Sequence, residues 1–581
     1  MARCRRLDLL LFAGKEATGK LLGESSRERG SFPGAPAPGG TMRLPAVLAL
    51  VMVVMSVKAA SPEEITLRAD IRFLSSDLLE GRQPGTRGYD MAAAYVASRM
   101  EMLGLSPGVD RTWLQQLTLR EQVPEVEKVA ALFSDASLAR AVKVPDNALV
   151  DSDFRTLPWD LTGKVTYVGM GVCDPETRRD DGDRTNLRGR FAAVFAGVAT
   201  GLPASRAAVR SELAARWECL KRRGALGLVV LRTPASTRLN WPSSIASWRS
   251  GGLGLVAGAD AHSRSQIAPL LALDVPAAKA FLAAAGRDLA QEEPLAQSGR
   301  FEPVEIPGTL TLRYQGRTRD LTSANVVGLV PGTDGKLGHE AVVVSAHLDH
   351  LGVEIGGAIR TGAIDNASGI AQLLLAAQLL HASPGRRTVI FLATTGEERG
   401  LLGAEHFVAH PTWPKERLVA NINVDQTGML WPVVDVVADG AERSTLSSPA
   451  SRAATQLGLR ISPDPVPEQA FFLRSDQAPF ARAAIPAVIF RPGFADRDGG
   501  TATNRALFVR WRSHAYHAPG DRFDQSDPGI DFASGVTMGR LVAAMATELA
   551  SAQDRPRWNA GDVFAPAVHR QLPQAQPRQR R

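Results

Sequence analysis

Ala341-Val342-Val343-Val344-Ser345-Ala346-His347 is an apolar run that delivers a metal-ligand-type side chain, and its reading decides the fold. A short continuous run of this kind reads as a strand buried on both faces. Two more runs repeat the design. Thr388-Val389-Ile390-Phe391-Leu392-Ala393 leads to Glu397-Glu398, and Val419-Ala420-Asn421-Ile422-Asn423-Val424 ends on Asp425. In open α/β sheets the strand carboxyl ends face the ligand crevice, so polar residues placed there converge on one site. Between the first two runs, Ala367 to His381 shows a helical stripe of Ile370, Leu373, Leu374, Ala377 and Leu380, with Asp365-Asn366 as its cap. The alternation of strand and helix continues from about Pro303 to Ser551 and predicts a mostly parallel, doubly wound α/β sheet.

Working outward, residues 62–105 read as a helical pair: a stripe of Ile65, Leu67, Ile71, Phe73, Leu74, Leu78 and Leu79, a Gly-rich turn at 81–88, then Met91 to Leu103. From about 142 to 299 the texture changes to short β-like runs (165–168, 191–195, 226–231) with a helix over about 206–223. None of these runs carries His or carboxylate pairs at ligand spacing, so this part is expected to be an inserted domain without chemistry of its own. The expected organisation is an upstream segment and signal peptide over 1–59, the first part of the main domain over 60–139, the insert over 140–299, and the catalytic part over 300–552. The Pro, Gln and Arg of 553–581 predict a disordered tail.

The net charge of +7 comes from the ends. Residues 1–59 hold nine Lys/Arg against four Asp/Glu and residues 555–581 six against one, which leaves a body of 52 basic and 55 acidic residues. A nucleic-acid footprint needs a basic face on the folded domain, so none is expected. Met42-Arg43, the apolar stretch Leu44 to Val57 and the small residues around Lys58 have the order of a secretory signal over 42–59, with cleavage after Ala59 and Met42 as a candidate initiator. The run is short for a membrane span. This predicts an exported chain, periplasmic or secreted, with no stable membrane span after cleavage; the alternative is an anchor left by an uncleaved signal. Cys173 and Cys219 remain after the leader, and a single disulfide or two buried thiols are both open readings.

A two-metal hydrolytic site needs nitrogen and oxygen ligands, one carboxylate able to bridge the ions, and a free carboxylate beside the water. Candidate metal ligands are His347, Asp365, Glu398, Asp425 and His517: His347 and Asp425 for one ion, Glu398 and His517 for the other, and Asp365 as the bridge. Three anionic ligands with a bridging hydroxide would balance two divalent ions. Glu397 cannot share the task of Glu398, because neighbouring side chains diverge, and is the candidate general base. Asp349 is expected to orient the His347 imidazole. Taken singly, a His-x-Asp after a strand reads as a polar loop and a Glu pair as a solvated charge run. Several such residues at strand ends of one βαβ section are harder to obtain that way. His350, His406, His410 and His514 are set aside as structural or surface residues.

These motifs resemble a known family. Ala346-His347-Leu348-Asp349-His350-Leu351-Gly352, Gly362-Ala363-Ile364-Asp365-Asn366-Ala367-Ser368-Gly369, Gly396-Glu397-Glu398-Arg399-Gly400-Leu401-Leu402-Gly403, Asn423-Val424-Asp425 and Tyr516-His517-Ala518-Pro519-Gly520-Asp521 look like the ordered motifs of metallopeptidase family 28, which holds co-catalytic dizinc aminopeptidases. Leu74 to Arg82 resembles that family's first helix and turn, and residues 160–164, 180–181 and 221–231 resemble a protease-associated domain inserted in it. The resemblance implies a zinc exopeptidase fold with two Zn2+ per chain, acting on peptide or protein substrates, with aminopeptidase action first. The alternatives are a carboxypeptidase of the glutamate-carboxypeptidase type, with Arg474 and Arg491 flanking a carboxylate pocket, a glutaminyl-cyclase-like transfer on one zinc, and a non-catalytic binding protein on the same fold. Two departures, Gln477 where the family often has His and Ala518 where Thr is frequent, point to an altered substrate contact.

Overall fold

Alternate residues of the strand Ala341–His347 divide between two helical layers. Val342, Val344 and Ala346 join a core with the helices Pro62–Leu74, Arg87–Met102, Ser368–Ala382 and Phe532–Ser551, while Ala341 and Val343 join a second core with Leu402–Ala409 and Gln477–Arg482. Each buried aliphatic side chain stabilises the fold by about 1.5–3 kcal/mol, so a strand apolar on both faces holds both layers to the sheet. This computed structural model describes residues 60–566 apart from 153, 155–156, 184, 237–239, 257–268, 355, 426–428 and 525. The signal-peptide reading over 42–59 lies outside the described residues.

The main sheet is mixed. Its four central strands, Thr388–Thr394, Ala341–His347, Leu418–Asn423 and Ala487–Pro492, are parallel. On one side the antiparallel strands Gly316–Val330, Leu114–Pro124 and Gly252–Leu255 extend it; on the other, Asp435–Asp439 is antiparallel to Ala487–Pro492 and carries Arg460–Ile461. The parallel, doubly wound centre is the part that alternation of strand and helix specifies. Parallel register sets His347 opposite Thr394 and Ser345 opposite Asn423, so the loops after these strands leave the sheet at one level. That level is where Glu397, Glu398 and Asp425 follow.

The insert is built on a separate seven-stranded sheet whose outer members are Ala130–Phe133 and Ala148–Asp151 and which includes Val304–Tyr314. It therefore begins and ends beyond the expected 140–299. Leu114–Pro124 and Gly316–Val330 pair with each other in the main sheet and hand the chain into and out of the insert. The expected helix over 206–223 is two helices, Ala204–Arg210 and Leu213–Arg222, broken at Ser211-Glu212. A disulfide joins Cys173 to Cys219, with Cα atoms 6.2 Å apart. In the first helix Leu67, Ile71 and Leu74 face the core, but Ile65 is 58% exposed and Leu78 beyond it 76% exposed, so the apolar stripe is narrower than its composition suggests.

The expected disordered tail fails as far as residue 566. Trp558 and Phe564 pack on the ring of Phe472, Asn559 N–H donates to Arg443 O at 2.9 Å, and Arg443 pairs with Asp562 at 2.9 Å. Two aromatic side chains filling one slot outweigh the polar composition around them. Among the described residues, one helical stretch, 363–382, is long and apolar enough to cross a membrane; it is 89% buried as the central helix of the main core.

Candidate metal centre

The bridge position is built first by backbone. Gly362, at φ +58°, turns the chain into Ala363–Ala367, where Asp365 and Asn366 leave helical geometry before the helix Ser368–Ala382 begins. Asn366 is the local cap: Gly369 N–H donates to its Oδ1 at 3.0 Å, and its own Nδ2 donates to Val424 O at 2.9 Å. This ties the Asp365 turn to the end of the strand that delivers Asp425. The whole turn is buried, so Asp365 projects from a fixed platform.

Five side chains then meet. His347 Nε2 lies 3.2 Å from Asp425 Oδ1 and 3.2 Å from Asp365 Oδ1. His517 Nε2 lies 3.2 Å from Asp365 Oδ2 and 3.0 Å from Glu398 Oε2. Asp365 thus offers one oxygen to each of two groups. Zn–N and Zn–O bonds of about 2.0–2.1 Å in a tetrahedron separate neighbouring ligand atoms by about 3.3 Å, so the donor set fits two small divalent cations that share Asp365. All five residues named from the sequence as ligands come together. The helix Ala502–His514 ends at His514, whose Nδ1 contacts Arg510 O at 2.9 Å, while His517 lies past the helix end at φ +57°. Left-handed backbone at a non-glycine residue is held by its surroundings and is typical of functional sites.

Electrostatics point the same way. Burial opposes charge on Asp365 and Glu398, yet the histidines hold both carboxyls well below the usual range: His347 and His517 act on Asp365, and His517 and His350 on Glu398. Burial likewise works against charged rings, but Glu397 and Asp425 hold His347 well above the ordinary imidazole value, and Glu398 and Asp365 hold His517 up at about 10. Without metal, protons on the two rings supply the positive charge that the carboxylates demand. Divalent cations would displace those protons.

Glu397 lies beside the cluster, and burial pushes its carboxyl well above the ordinary value, against the opposing charge of His347. Asp349 acts differently from the expectation. The His347 Nδ1 contact is with the Asp349 backbone carbonyl at 3.1 Å, while its carboxylate stands 4.0 Å away and accepts Glu397 N–H at 3.1 Å and Glu398 N–H at 3.4 Å. The carboxylate shapes the Glu397-Glu398 turn, and the carbonyl orients the ring.

Sequence reasoning missed four supports. Asp521 is fully buried and accepts the backbone N–H groups of Ile364 and Asp365 at 2.9 Å each. Burial pushes its carboxyl up to about 6 against those hydrogen bonds. Arg82, also fully buried, donates to Leu348 O at 2.8 Å, Thr361 O at 2.6 Å and Gly362 O at 3.0 Å, joining the loops of His347 and Asp365. Gln477 accepts from Asn423 Nδ2 at 2.9 Å and donates to Phe471 O at 3.1 Å and Phe472 O at 2.8 Å, so it is a buried brace for the 471–477 loop rather than an altered substrate contact. His350, set aside as structural or surface, is buried with Nδ1 2.7 Å from Glu398 Oε1.

Ile364, the residue before Asp365, lines an apolar pocket with Leu430, Trp431, Phe471, Phe508 and Trp511. Arg491 reaches the same pocket but is paired with Asp439 at 2.7 Å and Asp464 at 2.9 Å, and its guanidinium lies over the Phe471 ring.

Carboxylates and imidazoles gathered at the ends of parallel strands, with a carboxylate shared between two donor groups, form a donor set that could hold metal ions. Residues 325–542 match the family model described as Peptidase family M28. Aminopeptidase YwaD of Bacillus subtilis (strain 168) is 33% identical over 123 residues, 21% of this chain and 25% of that protein. The alkaline phosphatase isozyme conversion protein of Escherichia coli (strain K12) is 31% identical over 130 residues, 20% of this chain and 37% of that protein. The chain thus spans about a quarter to a third of the length of these curated relatives. Among solved structures, an aminopeptidase from Aneurinibacillus sp. strain AM-1 aligns at 18% identity and a TM-score of 0.48, covering 85% of this chain and 98% of that one.

Proposed function

We propose that this chain is an exported zinc aminopeptidase that removes apolar N-terminal residues from peptides. The observation that carries the reading is Asp365, whose two oxygens face two separate donor groups at equal distance. His347 and Asp425 would hold one zinc, Glu398 and His517 the other, and Asp365 would serve both. When bound, the two ions supply an acidified water and polarise the scissile carbonyl. Glu397, kept protonatable by its buried setting, takes the proton of the attacking water and returns it to the leaving amine. The pocket of Ile364, Trp431, Phe471 and Trp511 receives the side chain of the residue to be released. The carboxylates of the ligand cluster would favour a free α-amine.

Carboxypeptidase action would need an uncommitted cation for the substrate carboxylate. Arg491 already faces Asp439 and Asp464, which argues against it for that residue, while Arg474 lies over the Phe471 ring. The non-catalytic alternative fits poorly with a complete donor set. A disulfide between Cys173 and Cys219 supports an oxidising compartment and hence export. The test is a panel of one apolar peptide with free, N-blocked and C-blocked ends, with zinc content measured alongside. Cleavage that survives C-blocking and is abolished by N-blocking, with about two zinc per chain, is expected; cleavage that survives N-blocking alone overturns the reading.

A further inference from the structure

His350 sits inside the metal centre with no part in the proposed chemistry. Its ring is fully buried, and Nδ1 is 2.7 Å from Glu398 Oε1. The other oxygen of the same carboxylate, Oε2, faces His517 Nε2 at 3.0 Å. Glu398 is thus divided, one oxygen toward the ion position and one toward a second imidazole. Neither Glu398 Oε1 nor either nitrogen of His350 makes an aligned hydrogen bond, to one another or to another described residue, so the 2.7 Å approach is a close ion-pair contact that no other group shares.

The placement of the ring is built in from three sides. His350 N–H donates to Arg82 O at 3.3 Å, and the buried Arg82 side chain holds Thr361 and Gly362. A Cβ at Gly362 would come within 2.7 Å of the His350 ring, so glycine there is what lets the ring lie against the Asp365 turn. The ring meets His517 edge to face with centroids 6.0 Å apart. A carboxylate that binds an ion through one oxygen leaves the other in a dry interior, where an unsatisfied charged acceptor is costly. Hydrogen bonds to ligating carboxylates commonly tune a metal site by 10–100-fold in affinity.

We propose that His350 is a positioning residue: paired through Nδ1 with Glu398 Oε1, it fixes Glu398 as a one-oxygen ligand through Oε2. The consequence is selectivity. Larger cations such as Ca2+, with about six to eight oxygen ligands, readily take a carboxylate through both oxygens, whereas four-coordinate zinc is served by one. Committing Oε1 to His350 therefore favours zinc in this half of the centre. This inference rests on the two-ion reading above.

The experiment measures zinc stoichiometry and affinity by chelator competition, and Ca2+ competition for the same sites, in wild type, His350→Ala and His350→Asn. The amide nitrogen of Asn occupies nearly the place of Nδ1. The expected result is two zinc in every variant, one of them bound about 10–100-fold more weakly in His350→Ala, with most of the loss restored in His350→Asn and with Ca2+ competing better only in the Ala variant. Unfolding of the three metal-free proteins at the same midpoint separates this from a folding defect. Unchanged affinity in His350→Ala overturns the proposal, as does complete loss of one zinc without rescue by Asn, which would make His350 a ligand. A wild-type chain that binds no zinc overturns the function itself, and the inference with it.

Discussion

Replacing Glu397 by Gln keeps shape and polarity and removes the ability to carry a proton. Turnover should fall about 10²–10⁴-fold with zinc content unchanged, measured by steady-state kinetics beside metal analysis; full activity with metal bound would assign the proton transfer elsewhere. That His347, Asp365, Glu398, Asp425 and His517 come together was legible in the sequence because each lies at a strand end or in a turn with a recognisable pattern. Asp521, Arg82 and His350 were not. Arg82 reaches Leu348 and Thr361 across more than 260 residues of chain, and such a contact leaves no local pattern. His350 was discounted because a histidine near a motif is ordinarily structural; its burial and its distance to Glu398 become visible only once the chain is folded.

The loop 471–477 is held from behind by the C-terminal segment. Phe472 carries Trp558 and Phe564 on one side, its carbonyl takes Gln477, and its neighbour Phe471 lines the apolar pocket. Truncating Trp558 or Phe564 to Ala should cost about 3–5 kcal/mol of stability, read from denaturant midpoints. It should also raise KM for apolar peptides more than it lowers kcat, because the pocket wall loosens while the ligand strands do not. Equal effects on both parameters would place the damage in the metal centre instead. At this scale the parallel strands were readable from their doubly apolar runs. The antiparallel flanks, and the wrapping of residues 553–566, depend on pairing between distant segments and on two aromatic side chains in a polar stretch.

In the whole molecule the insert has its own core and its own charged interior. Asp174 is buried against Arg206 and Arg210, at 2.5 and 3.1 Å. Burial opposes its charge, but Arg206 and Thr177 hold the carboxyl down at about 2. A depressed folded value contributes stability that is fully present above the unfolded value near 4 and is lost as pH falls towards 2. Asp174→Asn should therefore destabilise the chain by roughly 2 kcal/mol at pH 7 and progressively less on approaching pH 2, followed by urea unfolding at each pH; a penalty independent of pH would show that the ion pair is not its source. The short strand Gly252–Leu255 lies within the insert yet anneals to the outer strand Leu114–Pro124 of the main sheet. An open β edge is a template on which other chains assemble into aggregates, and short terminal strands blunt it. By laying four residues along that edge, the insert acts as a guard against self-association. Excising it to obtain a minimal fragment would uncover Leu119 to Gln122 on that edge and is expected to favour aggregation.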